Sequence, residues 1–160
     1  MQVIDYLKNM SAERFLAIYQ SLENQGFGPL DGEVAKILKF RPQAIRKLPM
    51  AQRARRAKSF LERGSSTDLA YELFGTYLLK NHKEIVTDFL DSTGVEHKDG
   101  MIDDLDATPP QADKLDETIS ALDKKFDAED VTLYLAMCAE QWPKVGEIQK
   151  AYEARIPATA

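Results

Sequence analysis

Residues 65–79 read SSTDLAYELFGTYLL, and their reading decides the fold class. Ser65 followed three residues later by Asp68 is a helix-start pattern: a serine hydroxyl accepts from an open backbone N–H, and an acid at the third position reaches back. Behind that start, Leu69, Ala70, Tyr71, Leu73, Phe74, Tyr77, Leu78 and Leu79 fall on nearly every side of a helix. A helix that is apolar nearly all round must be covered nearly all round. The stretch therefore predicts a central, buried helix in a protein made of helices.

Toward the C-terminus the same logic repeats. HKEIVTDFLDS, residues 82–92, puts Ile85, Val86, Phe89 and Leu90 on one face, with Gly94 as its stop. Thr108 is placed to cap a helix with Pro109 at its first position and Gln111 completing a capping box, and its stripe is Leu115, Ile119, Leu122 and Phe126. Asp127 with Asp130 opens VTLYLAMCAEQ, again apolar on more than one side, and Pro143 opens a last helix carrying Val145, Ile148 and Tyr152. Residues 157–160 read as a frayed tail.

Toward the N-terminus, Val3, Leu7 and Met10 form one stripe, and Ser11 caps a second helix with Phe15, Ile18, Tyr19 and Leu22 inward, ending at Gly26. Asp31 caps a third helix with Val34, Ile37 and Leu38 inward, which stops before Pro42 because the residue preceding a proline is pushed out of the helical region. A brief helix through Ile45 and Leu48 follows, and Pro49 opens MAQRARRAKSFLER, whose apolar stripe is Met50, Ala54, Ala57 and Leu61 and whose stop is Gly64. Period-two alternation long enough for a sheet is absent.

The expected fold is all-α, a compact orthogonal bundle of about eight to ten helices in a single domain over 1–156. A chain of 160 residues is long enough to bury about 70% of its unfolded surface without staples. The segments around Tyr77-Leu78 and Tyr134-Leu135 resemble one another, each a broad apolar helix followed by a narrower one, but their spacing does not repeat, so any solenoid character is weak. The opening MQVIDYLKNM lacks a basic region followed by an apolar run, and no window approaches a membrane span, so the reading is a cytoplasmic protein with no membrane partner. Cys138, the one cysteine, sits in an apolar run and reads as a small buried side chain.

The net charge of -5 conceals a polarity along the chain. From Lys36 to Arg63 there are ten basic residues and one acid, a net of +9; from Glu96 to Asp130 there are twelve acids and four lysines, a net of -8. These opposed regions are expected to attract one another, within a chain or across a dimer.

Residues 95–106, VEHKDGMIDDLD, invite a metal-site reading. An EF-hand register with Gly100 at its sixth position puts Val95 first, His97 third and Asp106 twelfth, so the first ligand is missing and the last carboxylate is too short for bidentate reach. His82 and His97 share no ligand spacing with each other or with Cys138. The simpler reading is a connector in which Asp99-Gly100 makes a tight turn, Val95, Met101 and Ile102 pack inward, and the acids are solvated. No nucleophile elbow and no phosphate loop occurs, and no cofactor is implied.

The basic segment raises nucleic-acid binding as an alternative, but the arginines of MAQRARRAKSFLER spread round the helix, the preceding helix is short, and the pI near 5.1 adds long-range repulsion. The leading expectation is a non-enzymatic helical domain acting by association with a protein partner or with a second copy. Its candidate interaction surface is Arg46, Lys47, Arg53, Arg55 and Arg56, with the acidic connector as a second contact region. An enzyme with a site near His97 is the weaker alternative.

Overall fold

A computed structural model of the protein describes residues 2–23, 47–63, 67–102 and 108–156. Among these residues the fold is all-α, with eight α-helices, one 3-10 turn, and no strand beyond an isolated antiparallel bridge between Lys98 and Met101. The helix expected from Asp31, the brief helix at Ile45, the start at Ser65, the stops at Gly26 and Gly64, the acids Asp103, Asp104 and Asp106, and the tail 157–160 lie outside the described residues.

Packing gathers Val3–Tyr77 into one compact unit and Leu78–Ala160 into a second. The division falls inside one continuous helix, Thr67–Asn81.

In the first unit, α1 (Gln2–Asn9) buries Val3, Ile4 and Leu7, and Met10 follows it inward. Ser11 then caps α2 (Ala12–Glu23): its hydroxyl accepts from the Arg14 backbone N–H at 3.1 Å. The buried face of α2 is Phe15, Ile18, Tyr19 and Leu22, the stripe the sequence predicts. Against it packs α3 (Met50–Glu62), which Pro49 precedes. The inward face of α3 is Arg53, Ala54, Ala57, Phe60 and Leu61, while Met50 is only half-buried. The stripe is wider than the four apolar positions alone suggest because Arg53 and Phe60 join it. The remaining helix of this unit, α4 (Thr67–Asn81), buries Ala70, Leu73, Phe74 and Tyr77, with Leu78 buried just beyond the division.

In the second unit the central element is α7 (Ala128–Gln141), buried at Asp130, Val131 and every residue from Leu133 to Ala139. Asp127 caps it, its carboxylate accepting from the Glu129 N–H at 2.8 Å. Three helices cover it: α5 (Lys83–Ser92), α6 (Leu115–Lys125) and α8 (Gly146–Glu153). From α5, Phe89 meets Tyr134 edge to face with centroids 5.2 Å apart, a geometry that contributes about 0.5–1.5 kcal/mol beyond burial.

Gly94, at φ +77°, ends α5. Val95 N–H donates to Leu90 at 2.9 Å and Gly94 N–H to Asp91 at 3.4 Å, the paired bonds of a Schellman stop, with Val95 buried behind them.

Two helix starts differ from expectation. α6 begins at Leu115 behind the 3-10 turn Ala112–Lys114 and not at Pro109. Pro109 precedes Pro110, which disfavours the helical region at 109, and the Gln111 N–H is drawn to the Thr93 carbonyl at 2.9 Å instead of a capping-box partner. The inward face of α6 is Leu115, Thr118 and Leu122, with Ile119 half-buried and Phe126 beyond the helix end in an extended conformation. Likewise Pro143 lies in a turn, and α8 starts three residues later at Gly146, burying Ile148 and Tyr152.

Candidate functional site

The five residues proposed as an interaction surface separate in the structure. Arg46 lies outside the described residues, and Lys47 is exposed in the turn before α3. Arg53 does not belong to any outer surface: it is 5% exposed, and its guanidinium lies over the Tyr19 ring of α2, 5.8 Å from the centroid. An arginine is suited to such a place because its methylenes pack as an apolar stem and its planar cation sits on an aromatic face. A second pairing of this kind occurs in the same unit, Arg14 over Tyr77 at 5.9 Å.

Arg55 and Arg56 are exposed, and Arg63, just past the end of α3, is exposed with them. The other cation of this helix, Lys58, pairs with Glu62 one turn on. Removing Arg53 to the interior and Lys58 to an ion pair changes the distribution read from the sequence. At about 100° per residue, Arg55, Arg56 and Arg63 share roughly a third of the circumference, opposite the buried stripe. Gln52 and Ser59 are the exposed polar residues between them. Among the described residues none of the three arginines has an ion-pair partner. Planar guanidinium groups on one open face are equipped for bidentate contact with carboxylates or phosphates.

The acidic region is differently organised. Asp99 pairs with Lys83 at 3.4 Å, Asp123 takes a bidentate pair from Arg155 at 2.7 Å to both oxygens, Asp127 caps α7, and Asp130 is 3% exposed and lies 3.4 Å from His82. Arg155 also donates to the Thr132 hydroxyl at 2.8 Å and to the Ala128 carbonyl at 3.2 Å, tying the end of α8 to α6 and α7. These acids serve the architecture of their own unit, which leaves fewer of them to form an outward contact surface.

Asp99-Gly100 makes the tight turn expected of it. Both residues have positive φ, 51° and 87°, and Lys98 and Met101 exchange backbone bonds of 2.8 and 2.9 Å, so the turn is a two-residue type I′ hairpin. Val95 is buried and Ile102 half-buried, but Met101 is 55% exposed, contrary to the expectation that it packs inward. The strict side-to-side alternation across the hairpin end turns Met101 to solvent when Ile102 faces in.

His97 is held at both nitrogens. Its Nδ1 accepts the Gly100 backbone N–H at 3.0 Å, and its Nε2 lies 2.6 Å from the Asp91 Oδ1. A backbone N–H can only donate, so Nδ1 carries no proton and Nε2 donates to Asp91. The residue at the centre of the metal and enzyme readings thus latches a turn onto the end of α5. Among the described residues no group of three or more His, Cys, Asp or Glu side chains converges as a metal site.

The two His–Asp pairs are what sequence reasoning missed. His97 and Asp91 are joined across the Schellman stop, and His82 and Asp130 come from different helices, so neither pair has a local spacing to read. Cys138 is fully enclosed in α7, and burial pushes its thiol far above the ordinary range, with Tyr134 lowering it in smaller measure.

Among the described residues no helix is long and apolar enough to cross a membrane. Comparison with protein-family models, with curated proteins and with solved structures finds no match to this chain.

Proposed function

We propose that the chain is a non-enzymatic association module that binds an acidic protein surface through the outward face of α3. The observation that carries this reading is the grouping of Arg55, Arg56 and Arg63 on one exposed face, none of them ion-paired among the described residues, while the one acid of α3, Glu62, is taken by Lys58. Arginine is favoured at protein interfaces because its fork binds carboxylates in two places and its stem still contributes apolar contact. A second copy of the chain is one partner of suitable chemistry, since exposed acids such as Asp116 and Glu117 stand on α6. An enzyme centred on His97 gains no support from a ring whose two nitrogens are both engaged.

The test compares wild type with Arg55→Glu/Arg56→Glu/Arg63→Glu. Sedimentation over a range of concentrations reads self-association, and affinity recovery from the native cell, with partners quantified by mass spectrometry, reads other partners. A complex that weakens with salt and is lost in the variant supports the reading, and complexes unchanged by the reversal overturn it. Duplex DNA supplies the competing outcome: if wild type binds it with a log-affinity against log-salt slope of about -3, as about three phosphate contacts require, and the variant does not, the face serves nucleic acid.

A further inference from the structure

We infer that the Asp99–Gly100 peptide is a latent isomerisation site, kept unreactive by the turn that His97 latches and converted to isoaspartate when that latch opens. The chemistry needs only this dipeptide. The Gly100 amide nitrogen attacks Cγ of the protonated Asp99 carboxyl, forming an N–Cγ bond while the Cγ–O bond breaks. The amide proton and the hydroxyl leave as water, and a five-membered imide remains. Water then adds to either imide carbonyl. Opening at the original backbone carbonyl routes the main chain through Cγ and gives isoaspartate; opening at Cγ restores aspartate. No oxidant, reductant or further reactant is required. Glycine makes the attack easy because it has no side chain to hinder its nitrogen, and the Asp99 side chain is 88% exposed, so water reaches it freely.

Three features of the structure oppose the reaction. A type I′ turn, with φ of 51° at Asp99, sets ψ near about +30°. For an L-residue this places the following nitrogen on the far side of the Cα–C bond from Cβ, whereas ring closure requires nitrogen and Cβ to be eclipsed. Rotating the peptide to that position breaks the 3.0 Å bond from the Gly100 N–H to His97 Nδ1, and Asp91 holds the imidazole from its other side at 2.6 Å. The turn is also seated against its unit: a Cβ added at Gly100 would stand 2.9 Å from Leu79 Cδ2 and 3.2 Å from Val86 Cγ1.

The experiment ages wild type, His97→Ala and Asp91→Ala at physiological temperature and pH, with wild type unfolded in urea as reference. Isoaspartate at position 99 is quantified by enzymatic methyl esterification and peptide mapping, and circular dichroism monitors folding throughout. Native wild type is expected to convert at least about tenfold more slowly than the unfolded chain, as a reaction that requires local opening does. His97→Ala is expected to recover most of the unfolded rate and Asp91→Ala part of it, both while still folded. The inference is overturned if native wild type converts as fast as the unfolded chain, or if the folded variants are as slow as wild type. Should His97→Ala fail to fold, Asp91→Ala decides alone, because its carboxylate side chain is 70% exposed and its loss leaves the core intact.

Discussion

Arg53 and Arg56 stand on the same helix three positions apart, one buried on Tyr19 and the other in solvent. A helical wheel puts Arg53 at the margin of the apolar stripe, and nothing within α3 says which way a margin residue turns. The deciding partner is an aromatic ring on α2, far away in sequence, which is why counting charges along the segment overstates its surface. Arg53→Ala removes a desolvated cation–π contact of about 0.5–2 kcal/mol together with buried methylenes, so urea denaturation should show a loss of about 2–3 kcal/mol. Arg56→Ala should remain within about 0.5 kcal/mol of wild type, as exposed substitutions do. Equal losses at both positions would contradict the placement of Arg53. Cys138 was legible as a buried thiol from its apolar neighbours, and its burial has a consequence at high pH. Its acidity is weaker in the folded chain than in the unfolded one, so the associated stability is present below the ordinary thiol value of 9.0 and is lost as pH rises above it. Cys138→Ala should show less of this alkaline loss than wild type, and the native thiol should resist a soluble thiol reagent that labels the unfolded chain at once.

Helix caps divide into those the sequence makes visible and those it does not. Ser11 and Asp127 act where their sequence patterns place them, because each side chain meets an N–H two or three residues along its own helix. The start of α6 was hidden by competition: Thr108 and Gln111 form a valid local pattern, but the Gln111 N–H goes to the Thr93 carbonyl, a contact made only after the chain has folded back. Ser11→Ala and Asp127→Ala should each lower stability by about 1 kcal/mol, whereas Thr108→Ala, which has no helix to cap, should change it by less than about 0.5 kcal/mol. Thermal melts of the three single variants check the ordering. Arg155 is the element-scale contact with no sequence signature, joining α8 to Asp123, Thr132 and the Ala128 carbonyl. An exposed pair contributes about 0–1 kcal/mol, but a half-buried bidentate pair with two further bonds is stronger. Arg155→Ala should therefore cost about 1–2 kcal/mol, and Asp123→Ala less, since it spares the bonds to Thr132 and Ala128. If the two variants melt alike, the added bonds contribute nothing.

Across the whole molecule the sequence shows a strongly basic region followed by a strongly acidic one, which suggests that attraction between them helps to hold the fold. The described acids point elsewhere: Asp99, Asp123, Asp127 and Asp130 each have a partner or a capping role within their own unit. The periodic apolar positions, by contrast, were legible nearly throughout, because a buried side chain leaves its mark on every turn of its own helix while an ion pair between helices leaves none. Leu7, Phe15, Leu73, Phe89, Leu133, Leu135 and Ile148 are all 1% exposed or less, and each such side chain contributes about 1.5–3 kcal/mol of burial. Charge pairs at the surface contribute about 0–1 kcal/mol each and are screened within about 3 Å at 1 M salt. Raising sodium chloride from a few millimolar to about 1 M should therefore lower the unfolding free energy by no more than about 1–2 kcal/mol, while Leu135→Ala alone should cost about 3–5 kcal/mol. The Arg55→Glu/Arg56→Glu/Arg63→Glu chain should unfold within about 1 kcal/mol of wild type at both salt concentrations, since the three arginines are exposed and, among the described residues, pair with no acid. Urea titrations of the three proteins at low and high salt make the comparison. A reversal variant that is markedly unstable at low salt and rescued at high salt would show those arginines holding the fold together, and would remove them as a surface available to a partner.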